Sequence, residues 1–171
     1  ISVSNQNNFT THKPQTANLK SNFSLTTLKY LSMWGGIGHA LVETYDYYEP
    51  RTEGMYYMKA RSTWGNYSIS TDYRKPFALD ASVNAYYAAR DGSKGFGTEF
   101  NPLLRLNNKV TFSFSFGYDR EIHDYGYVDN QDNNVIFGNR DIHIFENGAS
   151  GKYLFKNNVS LSLMARHYYS Q

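Results

Sequence analysis

Lys109-Val-Thr-Phe-Ser-Phe-Ser-Phe-Gly-Tyr118 decides the fold class. Val110, Phe112, Phe114, Phe116 and Tyr118 share one parity, and Thr111, Ser113, Ser115 and Gly117 share the other. Successive side chains of a strand point to opposite faces, whereas a helix would scatter both sets around its axis. The stretch therefore reads as a β-strand with one greasy face and one hydroxyl-lined face. What the greasy face touches, a protein core or lipid, depends on its neighbours.

The same parity recurs on both sides. In residues 77–90, Phe77, Leu79, Ala81, Val83, Ala85 and Tyr87 oppose Asp80, Ser82, Asn84, Tyr86 and Arg90. In residues 96–106, Phe96, Thr98, Phe100, Leu104 and Leu106 oppose Glu99, Asn101 and Arg105; in 159–166, Val159, Leu161, Leu163 and Ala165 oppose Ser160, Ser162, Met164 and Arg166. Turns are expected at Lys75-Pro76, over 91–95, at Asn107-Asn108 and over 156–158, since Asn and Gly accept the positive φ of tight hairpins. The polar residues 122–134 read as a long acidic loop, and 135–155 as strand with an irregularity near Asn147-Gly148. Earlier, 22–34 and 36–48 are strand candidates divided by Gly35-Gly36, and 49–54 breaks the second. Residues 55–74 read as one extended strand or as two turning at Trp64-Gly65-Asn66. Residues 1–19, rich in Asn, Gln, Thr and Ser, read as a polar linker or irregular N-terminal segment, which leaves 20–171 as the β domain.

Charge placement argues for lipid. Asp80, Arg90, Glu99, Arg105, Lys109, Asp119 and Arg166 all take the polar parity and are expected to face a lumen. Val110, Phe112, Phe114, Phe116, Leu161 and Leu163 are expected to face lipid, where a Lys or Arg at the midplane costs about 2–4 kcal/mol. A soluble sandwich also excludes charge from its core. It does not usually sustain alternation over so long a strand or gather Tyr near strand ends, as at Tyr86, Tyr87, Tyr118, Tyr168 and Tyr169. Connections alternate between short and long, as in barrels with short periplasmic turns and longer outer loops, so the Asn-Asn turns are assigned to the periplasm and the acidic loop to the outside. The expected fold is all-β, an antiparallel transmembrane β-barrel of the outer-membrane type, present as a partial barrel of about eight strands.

Composition excludes several classes. A net charge of +2 gives no polyelectrolyte signal, so nucleic acid is not expected as a partner. Without cysteine there is no disulfide framework or thiolate metal site. No run reaches the ~18 apolar residues of a membrane helix, a test that says nothing about a barrel. The chain begins at Ile1 and is expected to be a piece of a longer exported protein. His12, His39, His123, His143 and His167 lack ligand spacing, and Asp129 and Asp132 lack the Gly and closing Glu of an EF-hand. There is no Gly-x-Ser-x-Gly elbow and no phosphate loop, so no metal, no cofactor and no enzymatic activity are expected.

Thr71-Asp-Tyr-Arg-Lys-Pro76, Asp124-Tyr-Gly-Tyr-Val128, Val135-Ile-Phe-Gly138, Lys152-Tyr-Leu-Phe155 and Ala165-Arg-His-Tyr-Tyr-Ser170 carry a resemblance. Over residues 23–170 the chain resembles a family of uncharacterised outer-membrane β-barrel domains of Bacteroidota, often found after a carbohydrate-binding module of family-nine type. It departs from that pattern at Gly126, where Gln often precedes Tyr-Val, and at Tyr169, where Trp is common. The resemblance implies a barrel completed by strands outside 1–171 and brings no catalytic residues.

The expected function is a structural or transport-type, porin-like protein of the bacterial outer membrane, in contact with outer-membrane lipid and lipopolysaccharide and with other envelope proteins. Two alternatives stand beside it. One is a surface carbohydrate-binding β-sandwich using exposed Tyr platforms. The other is a barrel-embedded hydrolase pairing Ser113 or Ser162 with a lumen histidine.

Overall fold

The computed structural model describes residues 1–132 and 134–171. Its strands are β1 (Ser2–Asn7), β2 (Pro14–Thr26), β3 (Ser32–Ala40), β4 (Thr44–Asp46), β5 (Tyr57–Lys59), β6 (Ser62–Ser70), β7 (Phe77–Ala88), β8 (Lys94–Arg105), β9 (Val110–Gln131), β10 (Asn134–Lys156) and β11 (Val159–Ser170). Nine of them form one antiparallel sheet in the order β1-β2-β3-β6-β7-β8-β9-β10-β11, while β4 and β5 pair separately. The all-β reading holds, and no helix occurs among the described residues. The sheet is not closed into a barrel: β1 and β11 are open edges.

The register carries one parity across the whole sheet. Leu25, Met33, Ile69, Ala81, Phe100, Phe116, Asn147 and His167 are successive cross-strand partners from β2 to β11. One step along each strand, Ser24, Trp34, Ser68, Ser82, Glu99, Gly117, Glu146 and Tyr168 form the opposite row. A one-residue slip anywhere would exchange the faces, so the alternation read on single strands is a property of the sheet.

Neither face is covered. The accessible surface is 11965 Å², against about 8,600 Å² for a compact monomer of this mass. Among the described residues the buried apolar side chains are Ala40, Ala78 and Ala88, with Pro50 in the 41–61 segment the one large side chain that is fully buried. Phe112, Phe114 and Phe116 are 36%, 37% and 47% exposed, and Leu163 is 68% exposed. A sandwich would bury one of the two faces against a second sheet.

Several local expectations are corrected. Residues 1–19 are not a linker: β1 pairs with β2 from Ser2↔Lys20 to Asn7↔Pro14, and Pro14 occupies the first position of its strand, where no ladder donor is required. Gly35-Gly36 lies inside β3 rather than at a turn, which falls over 27–31. These glycines make room: a Cβ at Gly35 would lie 2.6 Å from the Asn66 carbonyl, and one at Gly36 would lie 2.2 Å from Asn22 Oδ1. Trp64-Gly65-Asn66 is likewise mid-strand in β6, and Gly38 leaves space for the Trp64 indole. Asn147-Gly148 is regular; the shifts of β10 fall at Ile136/Phe137, Arg140/Ile142 and Leu154/Lys156.

The largest correction concerns 122–134. Apart from residue 133, which lies outside the described residues, this stretch is not a loop but the far part of β9 and the start of β10. Lys94↔Ile122 ends the pairing of β8 with β9, and beyond it β9 pairs with β10 alone, as far as Gln131↔Asn134. The entry to this two-stranded extension is a bulge at which His123 takes φ 56° and its amide donates to Asp141 Oδ1 at 3.0 Å.

Candidate functional site

The polar face is the surface on which the sheet gathers ionisable groups. Asp80, Glu99, Arg105, Asp119 and Arg166 lie on it, as do Lys20, Glu146 and Lys152. Arg90 and Lys109 do not: both follow the parity but fall in turns beyond β7 and before β9. Arg90 donates to Glu43 Oε1 at 2.9 Å and to the Met58 carbonyl at 2.7 Å. Val110, Phe112, Phe114, Phe116, Leu161 and Leu163 share the opposite face.

Acid and base are not mixed evenly on the polar face. Glu99, Asp119 and Glu146 converge around Gly117, where with Asn101 and Ser115 they line an open cavity of about 170 Å³. Arg166 pairs with Glu146. Three same-face rows nearer the 106–109 turn, Arg105, Thr111, Lys152 and Ser162 are successive partners and place two cations in one row. Arg105 is held there by the Tyr73 and Lys75 carbonyls, which accept from its guanidinium at 2.5 and 3.2 Å. Among the described residues no three His, Asp or Glu side chains stand close enough to share a metal ion. Ser113 Oγ lies 2.6 Å from Ser150 Oγ, and Ser162 lies opposite Lys152, so neither serine is hydrogen-bonded to a histidine. His39 bonds Thr63, His143 bonds Tyr118 and His123 bonds Asn139.

The two ends of the sheet are held by side chains that parity could not reveal. At one end, turn 71–76 is stapled internally. Thr71 Oγ1 accepts from the Leu79 amide at 2.7 Å, and Asp72 accepts from the Arg74 amide and guanidinium at 3.0 and 2.9 Å. Those hydrogen bonds from Arg74 hold the Asp72 carboxyl down at about 2, well below its ordinary 3.8. Tyr73 donates to Asp80, which raises the phenol's pKa. The guanidinium of Arg74 stacks 3.4 Å above the Tyr30 ring of the adjacent turn.

At the other end, residues 41–61 form a cap that includes β4 and β5. It reaches the 8–13 turn through Thr11–Tyr47 at 2.8 Å and through Lys13 over the Tyr45 and Tyr56 rings. In the opposite direction it crosses four interstrand steps, about 19 Å, to the β9–β10 extension. There the Tyr127 amide donates to Glu49 Oε1 at 3.0 Å, Asn130 donates to Thr52 Oγ1 at 3.0 Å, and Arg51 lies over the Tyr127 ring. Tyr57 packs on Phe137, with ring centroids 4.8 Å apart. Gly126, where the resemblance calls for Gln, leaves room for Arg140 to reach Asp124: a Cβ there would lie 2.7 Å from the Arg140 guanidinium.

Three of the five quoted motifs coincide with structural junctions: 71–76 is the stapled turn, while 124–128 and 135–138 lie in the extension under the cap; 152–155 and 165–170 lie within β10 and β11. A model for a domain of unknown function, DUF5916, matches residues 1–171. The chain belongs to the DUF5916 family. The family's description states no activity, and no curated protein and no solved structure matches the chain. In this DUF5916 domain the distinctive features are the two unlike faces of the sheet and its capped end.

Proposed function

We propose that this chain forms most of the wall of an outer-membrane β-barrel of structural or transport type, with the apolar face toward lipid and the polar face toward an aqueous interior. One observation carries the reading. Short of the β9–β10 extension, the outward positions of β2 to β11 hold no Asp or Glu, and no Lys or Arg except Lys94 and Arg120 at the capped end, although many of their large apolar side chains are exposed. In water such a face would be a large uncovered apolar patch; in a bilayer it is the required surface. The polar face, with acidic groups grouped at Glu99, Asp119 and Glu146, suits a hydrated interior that favours cations over anions.

Connection lengths support the orientation. Turns 27–31, 71–76, 106–109 and 157–158 share one end of the sheet, and the 41–61 cap and the β9–β10 extension share the other. The capped end is assigned to the outside. Membrane fractionation combined with heat-dependent gel mobility tests the reading. It predicts recovery in the outer-membrane fraction with a band that shifts on boiling; a soluble protein with one mobility would sink it.

A further inference from the structure

Among the described residues the apolar face of the sheet carries one Lys and one Arg, and both lie at its capped end. Lys94 stands opposite Tyr87 and Ile122, and Arg120 stands between Phe96 and His143. Neither forms a salt bridge among the described residues. Together with Tyr87, Phe96 and Tyr118 they line an open groove of about 470 Å³. On the far side of Arg120, the Tyr118 hydroxyl lies 3.3 Å from His143 Nδ1, adding a polar group to the same rim. Asp141, in the bulge beyond Arg120, accepts from the His123 amide.

Phe96 is also a wall of a second groove of about 350 Å³, floored by Gly65 and Ala85 and walled by Ile37, Tyr67 and Val83. Small side chains in one cross-strand row, Ile37–Gly65–Ala85–Phe96, produce it. A cationic rim thus adjoins an apolar trough, an arrangement that matches a phosphate joined to an acyl chain. An ordinary apolar lipid would leave both cations unpaired at the edge of the hydrocarbon, where they are costly without a counter-charge.

Resting on the membrane reading above, we infer that Lys94 and Arg120 form a headgroup site for a phosphorylated glycolipid of the outer leaflet, with one acyl chain in the Gly65–Ala85 trough. The cations pair with phosphate by charge-assisted hydrogen bonds, Arg120 in bidentate geometry. Tyr87 and Tyr118 flank the headgroup with their rings in the interfacial layer.

The test uses the full chain refolded in detergent micelles, with heat-dependent mobility scored in parallel and lipid binding read by native mass spectrometry. Bisphosphorylated lipid A is expected to bind. Its fully dephosphorylated form and the Lys94→Ala/Arg120→Ala double variant are each expected to weaken binding about thirtyfold, as two cations at an anionic lipid surface would. A Lys20→Ala/Lys152→Ala control on the polar face leaves it unchanged. Inorganic phosphate is expected neither to bind nor to compete; full competition by it would assign a free-anion site and overturn the lipid. Equal affinity for the dephosphorylated lipid, or a double variant that binds as well as the parent, overturns the site while heat-shifted mobility preserves the membrane reading. A chain without heat-shifted mobility overturns both.

Discussion

Phe114 and Ser115 are adjacent on β9 and both exposed, yet they belong to surfaces with opposite requirements. Phe114 lies among Phe112, Phe116 and Ala149, and Ser115 faces Gly148 in a cavity that also holds Glu146 and Arg166. In a soluble protein two exposed faces of one sheet would both be polar. On the membrane reading proposed above, the apolar face and the charged face are each matched to their own solvent, so burial within the chain does not measure which side is inside.

The sharpest way to break this contrast is to move a charge between the faces. Phe114→Arg is expected to cost about 2–4 kcal/mol of stability in lipid vesicles, and Ser115→Arg much less. Denaturant titration of the folded, vesicle-embedded chain reads both. Similar losses for the two would erase the distinction between the faces.

A second effect tests close packing. A Cβ at Gly95 would lie 2.3 Å from Tyr86 Cε1, so Gly95→Val must displace the ring and is expected to cost about 1–3 kcal/mol. Gly54, with nothing within 4 Å of its Cβ position, has φ 78° and offers a contrasting backbone-only strain. The same titration ranks them, with Gly95→Val the larger loss.

A third sharpens the difference between wall and cap. Glu49→Ala removes the acceptor of the Tyr127 amide, a charge-assisted bond of roughly 1.5–3 kcal/mol. Limited proteolysis should then cut within 41–61 faster, with the unfolding midpoint of the sheet nearly unchanged. A midpoint that fell with it would make the cap part of the cooperative unit.

The smallest concerns the stapled turn. The Asp72 carboxyl is held at about 2 against an ordinary 3.8, so its bonds to Arg74 are in place above the ordinary value and are lost as pH falls through the lowered one. A carboxyl NMR titration should place the Asp72 midpoint near 2, and Arg74→Gln should return it toward 3.8. No change on substitution would remove Arg74 as the cause.

Much of the sheet was legible because its central strands alternate cleanly: β7, β8, β11 and the first half of β9 follow from parity alone. The rest failed for physical reasons. β1 and most of β2 carry Ser, Asn, Gln and Thr on both faces, leaving little amplitude to detect, while Gly35-Gly36 mimics a turn because close packing and chain reversal call on the same residue. Past Ile122 the bulge at His123 shifts the parity, and Asp and Asn dominate because the extension projects beyond the apolar band. Asp80, Glu99, Arg105, Asp119 and Arg166 lie within strands on one face, as their shared parity requires, whereas Arg90 and Lys109 fall just outside β7 and β9, since parity cannot locate a strand's last residue. The cap contacts of Glu49, Arg51 and Thr52 span 78 or so residues of sequence and leave no local signal.

The native sequence has no cysteine, so single spin labels can be introduced at Phe114→Cys and Ser115→Cys in the vesicle-embedded chain. The label at 114 should collide with dissolved oxygen and be shielded from a water-soluble nickel reagent, and the label at 115 should show the reverse. A label at 114 that met the aqueous reagent and was shielded from oxygen would contradict the assignment of the faces.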